Sequence, residues 1–305
     1  MRVLVFLSNP VPAFQPTAAQ LSGLSARLVG HELVSVDSEA EFLAQLPLAE
    51  AVVVWRFPEQ WYARAGALQH VLTPAAGREG FAPDPAGRVV RHFGRFHGAI
   101  MAESLVGMLV FNNRRFGAAL AAQAEGRWDR SPFSACRVLR GQVVLIIGFG
   151  AIGQHAARLL SALGMVVHGL RRDVRRASPG AARVFSVDQR LEAVARADHV
   201  VCLLPGDTGT ERFLDAAAFA RMKRSACVYN LGRGGAIDAD ALIAALTHGT
   251  IAAAFLDVVP DEPLPASSPL WTAPNLFLTP HASAISADYL DLYFEELAGD
   301  LSVLG

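Results

Sequence analysis

Short apolar runs alternate with helix-spaced apolar positions along most of the chain, the pattern of an α/β protein built on mainly parallel sheets. In the first third, apolar runs at residues 3–7, 33–36, 52–55 and 68–73 predict strands, with helices between them near 17–28 and 39–46. Ser38 and Glu41 have the capping-box spacing at the start of the second helix. Residues 77–98 are rich in Gly, Pro and Arg and read as loop. Residues 100–125 then form one helical pattern closed by Gly126. At 1.5 Å per residue this helix would run about 37 Å, enough to cross between two lobes. A second α/β series follows, with strands expected at 143–147, 166–169, 199–204, 228–230, 251–256 and 276–278. The last helical stretch, about 286–297, is too short for a domain and must dock on one already formed.

Composition narrows the function. At 305 residues the chain exceeds one ordinary core, so two domains are expected. With 27 basic against 28 acidic residues, it has neither a basic nucleic-acid grip nor an acidic tail. Its 52% hydrophobic and 18% charged content excludes intrinsic disorder. Cys136, Cys202 and Cys227 are odd in number and widely spaced, suggesting neither disulfides nor a zinc site. The opening apolar run is too short for a signal peptide and no run reaches about 18 apolar residues, so a cytoplasmic protein without membrane contact is expected. Lys223 is the only lysine, so nearly all of the positive charge is arginine.

The first chemical signal is Gly148-Phe-Gly150-Ala151-Ile152-Gly153, directly after a predicted strand and at the start of a predicted helix. In that setting the glycines permit a tight turn, backbone approach to a pyrophosphate and close helix–strand packing, while the helix N-terminus offers N–H groups to the phosphates. The next strand should end in an acidic residue to hold the ribose hydroxyls of NAD. It ends instead in Arg171-Arg172, with Asp173 after them. A guanidinium pair there suits the 2′-phosphate of NADP(H), so NADP(H) is the preferred cofactor. NAD(H), with Asp173 on the ribose, stays open as the alternative.

Three further patterns lie just past predicted strands, on the sheet edge that carries the glycine turn. They are Asn230-Leu231-Gly232-Arg233-Gly-Gly, the run from Asp257 to Glu262, and Thr279-Pro-His281-Ala-Ser283. An arginine, a carboxylate and an imidazole beside a nicotinamide suit carbonyl reduction. Arg233 would hold a substrate carboxylate and polarise its keto oxygen. His281 would supply the proton, with Glu262 orienting the ring and favouring imidazolium.

In order and spacing, the motifs of residues 100–285 resemble the D-isomer-specific 2-hydroxyacid dehydrogenase family, with the glyoxylate/hydroxypyruvate reductases as the most similar subgroup. The resemblance implies catalytic roles for Arg233, Glu262 and His281. Asp257 would contact the nicotinamide amide, and Leu204, Pro205 and Thr210 would line the cofactor, although Gly206 and Asp207 depart from the family's pattern. Leu231, Gly232 and Ser283 would complete that lining. The implied fold is two Rossmann/flavodoxin-like parallel-sheet lobes with a cleft between them. A dinucleotide-binding domain, residues 101–283, is inserted into a substrate domain of residues 1–100 plus 284–305.

The first hundred residues match only loosely. There, Trp55, Arg56, Ala76, Gly77 and His97 are candidates for the substrate side, with purely structural roles open for Trp55, Arg56 and His97. Small 2-ketoacid substrates, D-2-hydroxyacid products and a homodimer are the further implications. A formate dehydrogenase is disfavoured because that group carries Gln where Glu262 stands. A nucleotide-sensing, corepressor-like binding protein remains the alternative from another class.

Overall fold

The computed structural model describes residues 1–304. Its contacts divide the chain into two units: residues 1–97 with the segment from Ile285 onward, and Gly98–Ala284.

The first unit contains β1 (Arg2–Phe6), α1 (Ala18–Arg27), β2 (Glu32–Ser35), α2 (Glu39–Gln45), β3 (Ala51–Val54), β4 (His70–Thr73) and β5 (Val90–Phe93), together with the terminal helix Tyr289–Leu304. Its five strands are all parallel, in the order β2-β1-β3-β4-β5, the flavodoxin-like arrangement. Both faces of β3 are buried, which is why Ala51–Val54 is apolar without alternation. A full capping box opens α1, where Thr17 and Gln20 exchange side-chain and backbone hydrogen bonds. At α2 only half of the expected box forms, with the Ser38 hydroxyl accepting from the Glu41 N–H at 3.2 Å.

The second unit opens with α3 (His97–Asn113), whose first residue still belongs to the first unit, and α4 (Phe116–Ala124). It continues through β6 (Val143–Ile147), α5 (Ala151–Ala162), β7 (Val166–Leu170), β8 (Arg183–Phe185), α6 (Arg190–Arg196), β9 (His199–Cys202), α7 (Ala216–Arg221), β10 (Cys227–Asn230), α8 (Ala239–Thr247), β11 (Ala253–Leu256) and β12 (Leu276–Leu278). Its seven parallel strands run β12-β11-β10-β9-β6-β7-β8. This is the Rossmann order with one strand added, and strand order reverses between β6 and β9. Leu145 and Ile147 of β6 enter one core cluster, whereas Val144 and Ile146 enter the cluster on the opposite face. Helices therefore cover both sides of the sheet.

Three expectations need correction. The helix expected over 100–125 is two helices, because Arg115 adopts a left-handed conformation (φ 56°) that ends α3 and begins α4. Neither Gly nor Pro marks that break in the sequence. The stretch 77–98 is not all loop, since β5 lies within it, and β8 was also unanticipated. Both are short edge strands carrying charge (Arg91, Arg183), so their apolar signal is weak. The last helix starts three residues later and runs further than expected. Among the described residues, no helix is long and apolar enough to cross a membrane.

Candidate active site

The glycine turn lies at the carboxyl end of β6, beside the point where strand order reverses. Gly148 has φ 88°, and a Cβ there would fall 2.7 Å from the Leu203 carbonyl oxygen. Only glycine accommodates both the conformation and the approach. Gly150 precedes α5 with open space where a Cβ would lie, and no side chain caps the helix. The first N–H groups of α5, at Ala151 and Ile152, therefore lack intrahelical partners and face an uncovered approach. This cradle fits a diphosphate.

At the end of β7, Arg171 is half-buried and donates from Nη1 to the Ser178 hydroxyl (3.2 Å) and the Ala177 carbonyl (3.3 Å). Arg172 is exposed. The Asp173 carboxylate accepts from Arg175 Nε at 3.0 Å and from the Arg175 N–H. The Arg175 side chain, that N–H and the nearby charge of Arg176 hold the carboxyl below its ordinary pKa.

The other three patterns converge on the same edge. Buried Asn230, at the end of β10, shapes the arginine loop: its Oδ1 accepts from the Gly232 N–H (3.1 Å) and its Nδ2 donates to the Arg233 carbonyl (3.0 Å). Arg233 donates from Nη1 to the Gly232 carbonyl at 2.9 Å. At Gly234 a Cβ would clash with the Val259 carbonyl, so this glycine is required by contact between two loops. Val259 belongs to the loop of Glu262, whose Oε1 accepts from the Val259 N–H at 3.1 Å. The other carboxylate oxygen, Oε2, meets His281 Nδ1 at 2.7 Å. Glu262 and His281 are both exposed, so the pair stays in water.

The loop carrying His281 hangs on a buried carboxylate. Asp257 Oδ1 accepts from the Thr279 hydroxyl (2.6 Å) and the Ala282 N–H (2.8 Å), while Oδ2 accepts from the Ser283 N–H (3.0 Å). The His281 N–H donates to the Asp257 carbonyl at 2.8 Å, and His281 itself is left-handed at φ 52°. Asp257 thus already has three partners within its own chain. The sequence signalled neither this anchoring nor the part of Thr279, because both depend on where loops distant in sequence meet; Asn230 instead acts within its own turn.

Leu204 is half-buried and Pro205 exposed after β9. The Thr210 hydroxyl donates within its own turn, to the Pro205 and Asp207 carbonyls. Leu231 is buried, and its N–H donates to the Cys202 carbonyl. Buried Ser283 accepts from the Ser104 hydroxyl through its carbonyl.

In the first unit, the Trp55 indole N–H donates to the Phe14 carbonyl (3.2 Å). Arg56 is exposed and paired with Glu39 at 2.7 Å. Ala76 is exposed and Gly77 half-buried in the loop after β4. His97 is buried, with Nε2 2.9 Å from the Tyr289 hydroxyl and its ring stacked on Phe96. Burial pushes its pKa down to about 4.

Comparison with known proteins decides the family. Residues 106–283 match the model described as "D-isomer specific 2-hydroxyacid dehydrogenase, NAD binding domain". The chain belongs to the D-isomer specific 2-hydroxyacid dehydrogenase family. A family protein from Aeromonas salmonicida subsp. salmonicida A449 superposes with TM-score 0.79 and 30% identity, covering 97% of this chain and 94% of that one. NADPH-dependent glyoxylate/hydroxypyruvate reductase from Sinorhizobium meliloti, in complex with NADP and sulfate, gives TM-score 0.78 and 27% identity, covering 99% and 94%. D-3-phosphoglycerate dehydrogenase from Methanocaldococcus jannaschii is 35% identical over 184 residues, 60% of this chain, and the match spans 35% of that longer protein. The second unit therefore carries the family's NAD-binding domain, and its parallel α/β architecture is that of the family.

Proposed function

We propose that this family member reduces a small 2-ketoacid of the glyoxylate or hydroxypyruvate kind to the D-2-hydroxyacid, with NADPH preferred over NADH. The observation that carries this reading is the 2.7 Å contact between His281 Nδ1 and Glu262 Oε2, on a loop locked through Gly234 to the loop of Arg233. Reduced nicotinamide, when bound at the glycine turn, supplies the hydride for the keto carbon. Arg233 engages the substrate carboxylate and draws charge onto the keto oxygen. With Nδ1 occupied by Glu262, the free nitrogen for proton delivery is Nε2 of His281. That nitrogen gives its proton to the keto oxygen, leaving a neutral ring that still holds Nδ1–H toward Glu262. Because the pair is exposed, solvent restores the proton.

The cofactor preference rests on Arg171 and Arg172 and on the occupation of Asp173 by Arg175, which leaves that carboxylate less available to a ribose. We assign the substrate side of the first unit to Trp55, Ala76 and Gly77, whose variants should change KM more than kcat. The inserted domain division and a homodimer belong to the same proposal, and light scattering tests the dimer. The deciding experiment is oxidation of NADPH and NADH with a panel of 2-ketoacids. Turnover of glyoxylate or hydroxypyruvate with a higher kcat/KM for NADPH is expected. A clear NADH preference overturns the arginine assignment, and turnover of no ketoacid overturns the enzymatic reading in favour of dinucleotide sensing.

A further inference from the structure

At the amino ends of β9 to β12, on the sheet edge away from Arg233, Glu262 and His281, the second unit contains a cavity of about 510 Å³. Arg115 and Arg137 both line it, and no lining residue is acidic. Neither guanidinium forms an ion pair among the described residues. Two guanidinium groups without an ion-pair partner, of which Arg137 feels the charge of Asp198 at longer range, create a positive potential beside the cavity that an anion would relieve.

Other observations point to the same ligand charge. Gly117 of α4 lines the cavity, and its helix begins without a side-chain cap, leaving the N–H groups of Phe116 and Gly117 without helical partners. Asn113 also lines it, and its Nδ2 is buried without a hydrogen-bond partner among the described residues. Phe111 and Phe277 supply an apolar wall, packed edge to face at 5.2 Å.

The polar floor is neutral. His199 is held between Tyr229 (3.1 Å) and Gln142 (2.8 Å). Burial pushes its pKa down to about 4; nearby Asp198 opposes the shift, while Arg137 and Lys223 add to it. Asp198 is itself occupied by Lys223 at 2.9 Å. Burial also raises the Cys227 thiol, against the opposing charge of Arg115. Among the lining residues, the charge facing the cavity therefore comes from the two arginines.

We propose that this cavity binds a small oxyanion, phosphate or carboxylate, carried on a flat apolar body. Arg115 and Arg137 hold the anion with the Asn113 amide and the first N–H groups of α4, while Phe111 and Phe277 receive the body.

Calorimetry on the full chain, saturated with NADPH so that the glycine turn is occupied, tests the proposal with phenyl phosphate, benzoate and inorganic phosphate. Phenyl phosphate and benzoate share the body, so the tighter of the two identifies the anion. Inorganic phosphate should bind more weakly than phenyl phosphate. Arg115→Gly removes one guanidinium at a left-handed position that glycine prefers, and so spares the fold. Arg137→Gln removes the other. Each substitution should weaken binding by about tenfold or more, the scale of one charge-assisted hydrogen bond. Ketoacid turnover should stay unchanged. Absence of binding to the wild-type chain, or equal binding to the double variant, overturns the proposal. Loss of self-association in the double variant without any anion binding overturns it too, assigning the cavity to a second copy.

Discussion

The two edges of the seven-stranded sheet handle polar groups in opposite ways. At the carboxyl edge, Glu262 and His281 stay exposed, and buried groups are spent on fixing their loops: Asp257 beneath His281, and Asn230 beneath Arg233. At the amino edge, His199 and Gln142 are themselves sunk into the core, and His199 is held neutral between Tyr229 and Gln142. An imidazole in water can gain and lose a proton during turnover, whereas one in the core cannot gain a proton without losing stability. The same side chain is thus open to solvent at one edge and a packed, neutral group at the other.

The sharpest break of this contrast is His281→Asn. Asparagine tolerates the left-handed backbone, so the fold should survive while the proton donor is lost. Ketoacid-dependent NADPH oxidation should fall by about 10²- to 10⁴-fold, with the thermal midpoint little changed. Retention of ordinary turnover would remove His281 as the acid.

Gly234→Ala tests the contact between the loops of Arg233 and Glu262. Its Cβ would meet the Val259 backbone, so urea unfolding should show a loss of about 3 kcal/mol. The neighbouring Gly235→Ala enters open space and should stay within about 0.5 kcal/mol. Equal effects from the two would show that the loops do not depend on this approach.

The core histidines set a pH dependence. For His97 and His199 the folded pKa is about 4, below the ordinary 6.5, because burial disfavours the charged ring. Between those values the unfolded chain binds more protons than the folded one. Their stabilising effect is therefore complete above about pH 6.5 and is lost as pH falls toward 4. Each histidine contributes on the order of 3 kcal/mol to that loss. Urea midpoints at pH 7 and pH 4.5 measure it, and His199→Gln should flatten the slope. A slope that His199→Gln leaves unchanged would place the titration elsewhere.

A smaller effect than that of Gly234→Ala belongs to Asp257→Asn, which turns an acceptor of three hydrogen bonds into a group with donors of its own. It should cost about 2 kcal/mol and reduce turnover through the displaced His281 loop, seen as a fall in kcat larger than any change in dinucleotide affinity. The reverse split would mean that Asp257 acts on the cofactor instead of the loop.

Most of the second unit could be read from sequence, because buried parallel strands such as Val143–Ile147 are continuous apolar runs that need no knowledge of their neighbours. The same holds for the glycine turn and for the residue types of the three later patterns. Edge strands β5 and β8 escaped because their apolar faces are short and charged. The end of α3 escaped because an arginine, not a glycine, takes the left-handed position.

The chain by itself therefore determined its alternating α/β order, its family and which residues carry reactive groups. Tertiary structure decided what each of those groups touches. His97 became a packed core ring, Asp257 a loop anchor and Gly234 a point of contact between loops. The physical reason is that periodicity encodes burial along one element, whereas pairing, exposure and desolvation depend on which distant loops the folded sheet brings to one edge.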